Sequence, residues 1–398
     1  MKYDFDCVID RRNTDCAKWD AVEPVFGSED IIPMWVADMD FPIAKPITEA
    51  LRKRIEHEIY GYTRPGLPLI EAVVNRMQQK YNWGIEPEWI VFTPGVIPAL
   101  HVAVRAFTHP GDEVVIQEPV YYPFWSAITD NGCSVVNNTL ELIGGHYEAN
   151  FEDLERKFVP RVRMVPSPSR AKMMILCSPH NPVGRVWTKE ELVRMGEIVI
   201  KNDAIVVSDE IHCELLFRGA QHIPFASISE EFEQHSVVCM AASKTFNVAG
   251  LAASTIIIPN MKLRDTFNNA RAGILPRPNV LALKALEAAY RDGDEWLEQL
   301  LDYLQRNLEF LMEYFVKKIP RVKVVRPEGT YLVWLDCREL GMDAMSLGAF
   351  MREKAKVGLN DGYLFGPGGA GFQRINIACP RPILEEALRR IEVAVNNL

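Results

Sequence analysis

The sequence predicts an α/β protein with a large domain, built on a mostly parallel seven-stranded sheet covered by helices, and a smaller α+β C-terminal domain. Short Val/Ile-rich segments alternate with helical patterns over most of the chain, and a long helical pattern then leads to a second set of elements. Apolar segments without polar alternation are typical of strands that are buried on both faces, as in a parallel sheet between helices. The length of 398 residues also favours two domains over one compact core.

The predicted elements follow in a regular order after an irregular arm, rich in Asp and Pro, over residues 1–45. Helical patterns at 47–59 and 68–81 are separated by a Gly/Pro break, which ends one helix before the next begins. The seven predicted strands are 89–93, 114–117, 134–138, 173–177, 204–208, 237–240 and 253–258. Helical patterns at 98–106 and 190–201 fit the crossover helices that join parallel strands.

A long helical pattern from 279 to about 317 leads away from the predicted sheet. The patterns after it indicate a smaller α+β unit, with elements at 322–325, 330–335, 346–356, 374–378 and 382–397. We therefore predict an arm at 1–45 that returns to the small domain, a large domain at 46–285 and a small domain at 286–398.

The composition argues against several classes of protein. The formal net charge of -9 does not suit a nucleic-acid scaffold. The eight cysteines are scattered without a CxxC pair, which favours reduced thiols over a disulfide framework or a zinc site. The acidic N-terminus lacks the apolar core of a signal peptide, and no apolar segment is long enough to span a membrane. We expect a cytoplasmic protein that acts on a small molecule and binds no metal, nucleic acid or membrane.

Lys244 is the first candidate for chemistry. It lies in the Gly-terminated segment 241–250, directly after the apolar segment 236–240. A desolvated amine at such a position loses its proton more readily and becomes a nucleophile that can hold a carbonyl cofactor as an imine. Taken alone, the pattern also fits a surface lysine whose stem is buried.

Asp209 is the candidate for the second group that a pyridoxal phosphate (PLP) enzyme requires. A carboxylate that faces the pyridine nitrogen keeps it protonated, so that the ring can accept carbanion electrons. Asp209 ends the apolar segment 204–208, where a parallel sheet presents its side chains to a crevice. The alternative is an Asp that caps the following segment.

Two further polar residues are candidates for the phenolic oxygen of the same cofactor. Asn181 lies in a turn after the predicted strand 173–177 and can donate to that oxygen, although an Asn-Pro pair is also a simple turn former. His212 follows Asp209 by three residues and is a second possible partner. A single histidine in this position can equally be a structural residue.

A phosphate group requires backbone N–H groups at the start of a helix, together with hydroxyl groups. The segment Thr-Pro-Gly-Val-Ile-Pro at 93–98 provides a strand end, a glycine turn and a helix start. The candidates for this phosphate site are Gly95, Val96, Ile97 and the hydroxyl of Ser243. Tyr121 follows another strand, where its ring could stack on the pyridine or simply pack in the core.

Arg374 is the candidate receptor for a substrate carboxylate, because its planar guanidinium can make two parallel hydrogen bonds. It follows the glycine-rich loop 366–371 in the small unit. An exposed arginine on an edge strand is the alternative. The loop does not follow the dinucleotide-binding pattern GxGxxG, which excludes that reading of its glycines.

Together these residues resemble the fold type I PLP enzymes of aminotransferase class I/II, in order and over nearly the whole chain. Each motif alone is weakly specific, whereas their joint agreement is highly specific. Within the class, three segments look like the carbon–sulfur β-lyases of the MalY/PatB type, which cleave cystathionine or cysteine S-conjugates. These segments are the arm at 33–41, Asp-Glu-Ile-His at 209–212 and Ser-Lys-Thr-Phe-Asn-Val-Ala-Gly-Leu at 243–251.

The resemblance implies a role for each matching residue. It implies that Lys244 binds PLP covalently and later moves the α-proton of the substrate. It places Asp209 on the pyridine nitrogen, Asn181 on the phenolic oxygen and Tyr121 over the ring, and it assigns the α-carboxylate of the substrate to Arg374.

The resemblance also extends to the arm and to a second subunit. It implies substrate contacts from Ala37 and Asn181 beside Arg374. It further implies that Tyr62, in Tyr-Gly-Tyr-Thr-Arg-Pro at 60–65, reaches the phosphate of the neighbouring subunit. A homodimer with shared active sites is therefore expected.

Three positions depart from the ordinary aminotransferase pattern. Ala252 stands eight residues after the lysine, where these enzymes carry an arginine that binds the phosphate. His212 stands where they usually have a tyrosine, and Ala241 replaces a hydroxyl residue that many relatives carry. The first two departures are common in the lyase branch and favour it, whereas the third puts one phosphate contact in doubt.

Three functional hypotheses follow. The favoured one is a PLP-dependent β-lyase that produces a thiol, pyruvate and ammonia. An aminotransferase is the alternative, since it requires the same cofactor residues. The third is a non-catalytic regulator of the same fold, but such chains usually carry a basic helix-turn-helix extension, and this N-terminus is short and acidic.

Overall fold

The computed structural model describes residues 2–158 and 171–398 and contains the predicted seven-stranded sheet, called here the large sheet. In spatial order its strands are Ile90–Thr93, Ser254–Ile257, Ser236–Met240, Ile205–Asp209, Ala171–Cys177, Glu113–Ile116 and Ser134–Asn137. Only Ser254–Ile257 runs against its neighbours, so the prediction of a mostly parallel α/β sheet is confirmed.

Both faces of the large sheet are buried, which explains why its strands lack polar alternation. Along Glu113–Ile116, Val114 and Ile116 pack into one hydrophobic cluster while Val115 packs into another on the opposite face. The helices along this part of the chain are Lys45–Ile55, Leu67–Tyr81, Val96–Phe107, Pro123–Thr129, Phe151–Phe158, Lys189–Ile200, Glu230–Gln234, Ala242–Thr245, Met261–Arg271 and Val280–Asp292.

The helix Lys189–Ile200 shows how local sequence sets these elements. Thr188 accepts a hydrogen bond from the Glu191 amide, and the Glu191 side chain accepts one from the Thr188 amide. This reciprocal capping pairs two amides that would otherwise lack a partner at the helix start. The helix then buries Leu192, Met195 and Val199 on one face.

The C-terminal part contains a four-stranded antiparallel sheet, called here the small sheet. Its strands in spatial order are Lys323–Val325, Leu332–Asp336, Phe372–Asn376 and Asn360–Asp361, and its helices are Asp294–Lys318, Ala344–Glu353 and Arg381–Asn396. A separate hairpin is formed by Glu141–Ile143 and His146–Glu148.

The single helix predicted from 279 to about 317 is two helices, Val280–Asp292 and Asp294–Lys318. Gly293 lies between them, and a Cβ atom at this position would stand 2.4 Å from both the Phe246 ring and the Ala289 carbonyl oxygen. The chain turns where only glycine fits. The predicted domain boundary at 285 lies within the first of the two helices.

The N-terminal arm crosses to the small sheet side of the molecule. Its strand Ile32–Pro33 pairs in parallel with Val357–Gly358, and its short helix is Val22–Phe26. The Asn376 side-chain amide donates to the carbonyl oxygens of Val36 and Asp38, both at 2.6 Å. These contacts fix the segment of the arm that includes Ala37. Within the described ranges, no helix has both the length and the apolar character needed to cross a membrane.

Candidate active site

A cavity of about 200 Å³ lies at the carboxyl ends of the parallel strands, where open α/β sheets bind their ligands. The structure brings ten of the predicted site residues together in its wall. These are Ala37, Gly95, Val96, Ile97, Tyr121, Asn181, Asp209, His212, Ser243 and Lys244. The arm and five strand ends, which are distant in sequence, thus form one site.

Lys244 lies in the short helix Ala242–Thr245 that follows the strand Ser236–Met240. Its Nζ donates to the Ala37 carbonyl oxygen at 2.7 Å. Burial and the nearby charge of Arg374 lower the pKa of Lys244 to about 8, although Asp38 and Asp209 act in the opposite direction. A substantial neutral fraction of this amine therefore exists near physiological pH, as a nucleophile or a base requires.

Asp209 ends the strand Ile205–Asp209 and is buried. Burial raises the pKa of its carboxyl group to about 7, and this effect is only partly offset by the Ile211 amide, at 3.2 Å, and by the charge of Lys244. The chain thus leaves a buried carboxyl group whose charged form needs a further cationic or strongly donating partner. A protonated pyridine nitrogen has the required chemistry.

Arg374 lies behind the cavity wall on the strand Phe372–Asn376 and is buried, so the edge-strand surface alternative is wrong. Its guanidinium donates to Asn181 Oδ1 at 2.8 Å, to Asn360 Oδ1 at 2.6 Å and to the Trp35 carbonyl oxygen at 3.0 Å. All of these acceptors are neutral. Burial lowers the pKa of Arg374 to about 10, which still leaves a cation at neutral pH, available to a carboxylate ligand.

Asn181 is oriented by this contact. Its amide oxygen accepts from Arg374, so its NH2 group is the one that remains to donate to a ligand. Its backbone amide donates to the Cys177 sulfur at 3.4 Å, which fixes the turn after the strand Ala171–Cys177. Its donor role toward a phenolic oxygen stays a prediction.

His212 and Tyr121 form further parts of the wall. Burial, together with the charges of Lys244 and Arg374, lowers the pKa of His212 well below its usual range, so the imidazole is neutral. Among the described residues its buried Nδ1 atom has no hydrogen-bond partner. Burial raises the pKa of Tyr121 to about 12, and its ring lies 5.3 Å from that of Tyr122.

The predicted phosphate site lies at the start of the helix Val96–Phe107. Gly95 precedes this helix with φ 121, a conformation that side-chain-bearing residues rarely adopt. The first helical turn, with its unpaired N–H groups, therefore lines the cavity beside Ser243. Ala252 lies in the same wall in the left-handed region (φ 56), at the position where ordinary aminotransferases carry an arginine.

Tyr62 is the one predicted cofactor residue that the single chain does not bring to the site. Its side chain is fully exposed and lines a separate groove beside Pro276 and Leu281. Its role at the phosphate of a neighbouring subunit stays a prediction.

Sequence reasoning did not identify several residues that complete the site. Cys177 lines the cavity, Asn360 binds Arg374, and Tyr331 donates to the Ala37 carbonyl oxygen at 2.9 Å. Cys177 precedes the turn that contains Asn181, so its place at a strand end was a usable signal. Asn360 and Tyr331 reach the site through tertiary folding, and their local sequence carries no corresponding signal.

These observations agree with a PLP site. Within the described residues, the cavity offers a nucleophilic amine, a buried carboxyl group without an ion pair, a helix start for a phosphate and an imidazole nitrogen without a hydrogen-bond partner. Each corresponds to one part of the cofactor: the aldehyde, the pyridine nitrogen, the phosphate and the phenolic oxygen. The residues present therefore fit the group.

Comparisons with known proteins point to the same cofactor. The chain is 43% identical over 397 residues to cystathionine beta-lyase PatB of Bacillus subtilis (strain 168), covering 98% of this chain and 100% of that protein. Cystalysin of Treponema denticola, whose crystal structure contains a pyridoxal 5'-phosphate cofactor, superposes with a TM-score of 0.95 at 37% identity over 100% of both chains. The PLP-bound C-S lyase of Staphylococcus hominis gives a TM-score of 0.91 at 34% identity, over 99% of this chain and 98% of that one.

A family comparison covers most of the chain. The model of the family described as aminotransferase class I and II matches residues 29–391, from the arm to the last helix. The chain therefore belongs to the aminotransferase class I and II family, whose members share the PLP-dependent type I fold.

Proposed function

We propose that the chain is a PLP-dependent carbon–sulfur β-lyase that converts cystathionine or a related cysteine S-conjugate to a thiol, pyruvate and ammonia. The observation that carries the proposal is one cavity in which the desolvated Lys244 amine and the buried Asp209 carboxyl group face the same space. The names of PatB and of the Staphylococcus hominis enzyme support the lyase over other reactions of the family.

The residues of the site have separate roles in the proposed reaction. When bound, PLP withdraws electrons from the α-carbon of an amino acid and so makes its proton acidic. Arg374 binds the α-carboxylate, and the Asn181 amide lies between that guanidinium and the cavity. Lys244 Nζ accepts the α-proton, and the Cβ–S bond then breaks as the thiolate leaves with the electron pair. A base with a pKa near the working pH contributes about 10²- to 10⁴-fold in rate.

Asp209 and Tyr121 provide the environment for this proton transfer. Asp209 would hold the pyridine nitrogen and, as a carboxylate, would keep it protonated; in the chain without cofactor, burial raises the pKa of this carboxyl group to about 7. Tyr121 remains a neutral phenol over the whole working range, since burial raises its pKa to about 12. Its ring therefore adds an uncharged wall to the cavity.

The decisive experiment measures pyruvate. Incubation of the purified protein with cystathionine should release pyruvate without any added keto acid. A visible absorption band from lysine-bound PLP should accompany activity and be absent in Lys244→Ala. Product formation that depends on an added keto acid would contradict the lyase proposal.

An aminotransferase is the second candidate, because the matching family is the one described by that activity. Its cofactor residues would be the same, so only the fate of the amino group separates the two. Stoichiometric conversion of the bound cofactor to its amine form by an amino acid, with no pyruvate from cystathionine, would favour it.

The proposed enzyme is a cytoplasmic homodimer in which Tyr62 reaches the cofactor phosphate of the other subunit. Exposed apolar side chains that are close in sequence to Tyr62, or to Pro276 of the same groove, support an interface, because they would otherwise face water. They are Ile55, Ile59, Tyr60, Leu67 and Ile274. The division into parts at 1–45, 46–285 and 286–398 belongs to the same proposal.

Subunit mixing tests the shared site. Lys244→Ala and Tyr62→Ala chains, each with little activity alone, should regain part of the wild-type activity when they are mixed under conditions that exchange subunits. One of the two sites in a mixed dimer would then contain both native residues. A mixture no more active than its components, despite demonstrated subunit exchange, would contradict a shared site.

A further inference from the structure

Tyr331 has no part in the reaction described above, yet its hydroxyl group contacts Ala37, which lines the cavity. The side chain is fully buried, and its Oη donates to the Ala37 carbonyl oxygen at 2.9 Å. The same carbonyl oxygen accepts the hydrogen bond from Lys244 Nζ at 2.7 Å. Two donors that are 87 residues apart in sequence (331 minus 244) therefore share one acceptor.

The backbone holds Tyr331 firmly in this position. Thr330, just before it, adopts φ 67, which β-branched residues rarely adopt. The Thr330 amide donates to the Leu215 carbonyl oxygen at 2.7 Å, and the Thr330 hydroxyl accepts from the Leu332 amide at 2.9 Å. The Tyr331 carbonyl oxygen accepts from the Ile377 amide at 2.9 Å. The strained conformation is thus fixed on both sides and directs the phenol toward the arm.

The shared acceptor is also held in place. The Asn376 side chain binds the carbonyl oxygens on either side of Ala37, those of Val36 and Asp38. The Asn247 side chain donates to the Met39 carbonyl oxygen at 3.0 Å. The Ala37 carbonyl group is consequently held in a fixed position beside Lys244.

We propose that Tyr331 is a positioning residue for Lys244: by sharing the Ala37 carbonyl oxygen, it sets where the amine rests and how strongly that oxygen retains it. A carbonyl oxygen has two lone pairs, and a hydrogen bond from a second donor weakens the hydrogen bond that the oxygen accepts from the first donor. The Ala37 carbonyl group stabilises an ammonium group more than a neutral amine. The hydrogen bond from the Tyr331 phenol therefore reduces the preference of Lys244 for its ammonium form. The inference rests on the proposed function, in which Lys244 must act as a neutral base.

Other charged and titratable groups also face Lys244, and the test must leave them unchanged. They are Arg374 on the small sheet, Asp38 on the arm, and Asp209 and His212 beside the large sheet. Tyr331→Phe retains all four and removes only the hydroxyl group. Tyr147→Phe is a matched control, because Tyr147 is also buried and its hydroxyl accepts one hydrogen bond, from Trp334, outside the cavity.

The first measurement is the pH dependence of Lys244 acetylation by acetic anhydride, followed by mass spectrometry on the full-length chain after removal of the cofactor. Loss of the phenol should strengthen the bond from the ammonium group to the Ala37 carbonyl oxygen. The midpoint of labelling in Tyr331→Phe should therefore move upward by about half a pH unit. It should not move in Tyr147→Phe.

The second measurement is steady-state pyruvate formation. For Tyr331→Phe, kcat should fall about threefold, since a shift of half a pH unit lowers the neutral fraction of Lys244 by that factor, while KM stays unchanged because substrate binding by Arg374 is unchanged. A ring-fluorinated tyrosine at position 331 keeps the side chain and donates more strongly, so it should move the labelling midpoint downward. This variant keeps the test decisive if Tyr331→Phe does not fold.

An unchanged labelling midpoint in a folded Tyr331→Phe protein would overturn the inference, whether or not kcat fell. A midpoint that moves equally in Tyr147→Phe would also overturn it. Absence of pyruvate formation by the wild-type protein would instead refute the proposed lyase and leave the labelling result interpretable on its own.

Discussion

Two buried arginines of this chain, Arg76 and Arg374, differ in what surrounds them. Arg76 donates to Glu214 at 2.6 and 3.1 Å and to Asp294 at 2.6 Å, and its guanidinium lies 5.6 Å from the rings of Phe246 and Tyr290. Burial alone would lower the pKa of Arg76, but the two carboxylates outweigh it and raise that pKa above its usual range. Among the described residues Arg374 has only neutral acceptors, and burial lowers its pKa.

The difference separates a structural charge from one that is kept for a ligand. The charge of Arg76 is compensated within the chain, so its loss should affect folding. The charges of Arg374, Lys244 and Asp209 are incompletely compensated, so their loss should affect ligand chemistry more than folding.

The largest effect is expected for Lys244→Ala. Pyruvate formation should fall by about 10⁴-fold or more, because the variant lacks both the nucleophile and the base. The melting temperature of the cofactor-free protein should not fall, because the substitution removes a buried amine whose desolvation is unfavourable for folding. Lys18→Ala is the matched control: Lys18 is fully buried and binds Asp40 at 2.6 Å, so that variant should lose stability. A large stability loss in Lys244→Ala would contradict the distinction.

The two arginines should give opposite results when each is replaced by glutamine. Arg374→Gln should lower kcat/KM for cystathionine by about 10²- to 10³-fold, because a carboxylate loses its charged partner. Arg76→Gln should lower the free energy of unfolding by about 3–5 kcal/mol, because Glu214 and Asp294 lose their cation. Chemical denaturation and steady-state kinetics on both variants check this. Comparable effects on folding from the two substitutions would refute the contrast.

The smallest effect is a pH dependence of stability that comes from Asp209. Burial raises the pKa of Asp209 from 3.8 to about 7, so between these values the folded cofactor-free chain holds a proton that the unfolded chain has lost. The free energy of unfolding should therefore fall as pH rises through this range, by on the order of 3 kcal/mol from this group.

Asp209→Asn should remove this slope, since an amide does not titrate. Melting temperatures of the cofactor-free proteins between about pH 4 and pH 7 measure the difference. The wild-type protein with bound PLP should show a weaker slope, because the pyridine nitrogen compensates the carboxylate. Parallel melting curves for the wild-type protein and the variant would argue against the raised pKa.

Most of the fold and of the central site followed from sequence, because both depend on local signals. All seven strands of the large sheet overlap their predicted segments, since short Val/Ile-rich segments between helices are typical of buried strands. Lys244, Asp209 and Asn181 were identifiable because each follows an apolar strand. The structure then placed them in one cavity, as a parallel sheet requires.

The missed features depend on contacts that are distant in sequence. The break lies at Gly293, where the Phe246 ring leaves no room for a Cβ atom, and glycine within a helical pattern does not by itself end a helix. Tyr331 binds Ala37 across 294 positions, and no spacing rule connects them. The role of Tyr62 requires a second subunit, which no single chain can test.

The attachment of the arm to Asn376 has a consequence for the order of events during biosynthesis. The segment that contains Ala37 is translated early, but its anchor and Arg374 belong to a strand close to the C-terminus. The cavity wall is therefore completed only after the strand Phe372–Asn376 has left the ribosome. Capture of the cofactor in its final environment should be a late, post-translational step, and nascent chains truncated before this strand should not retain it.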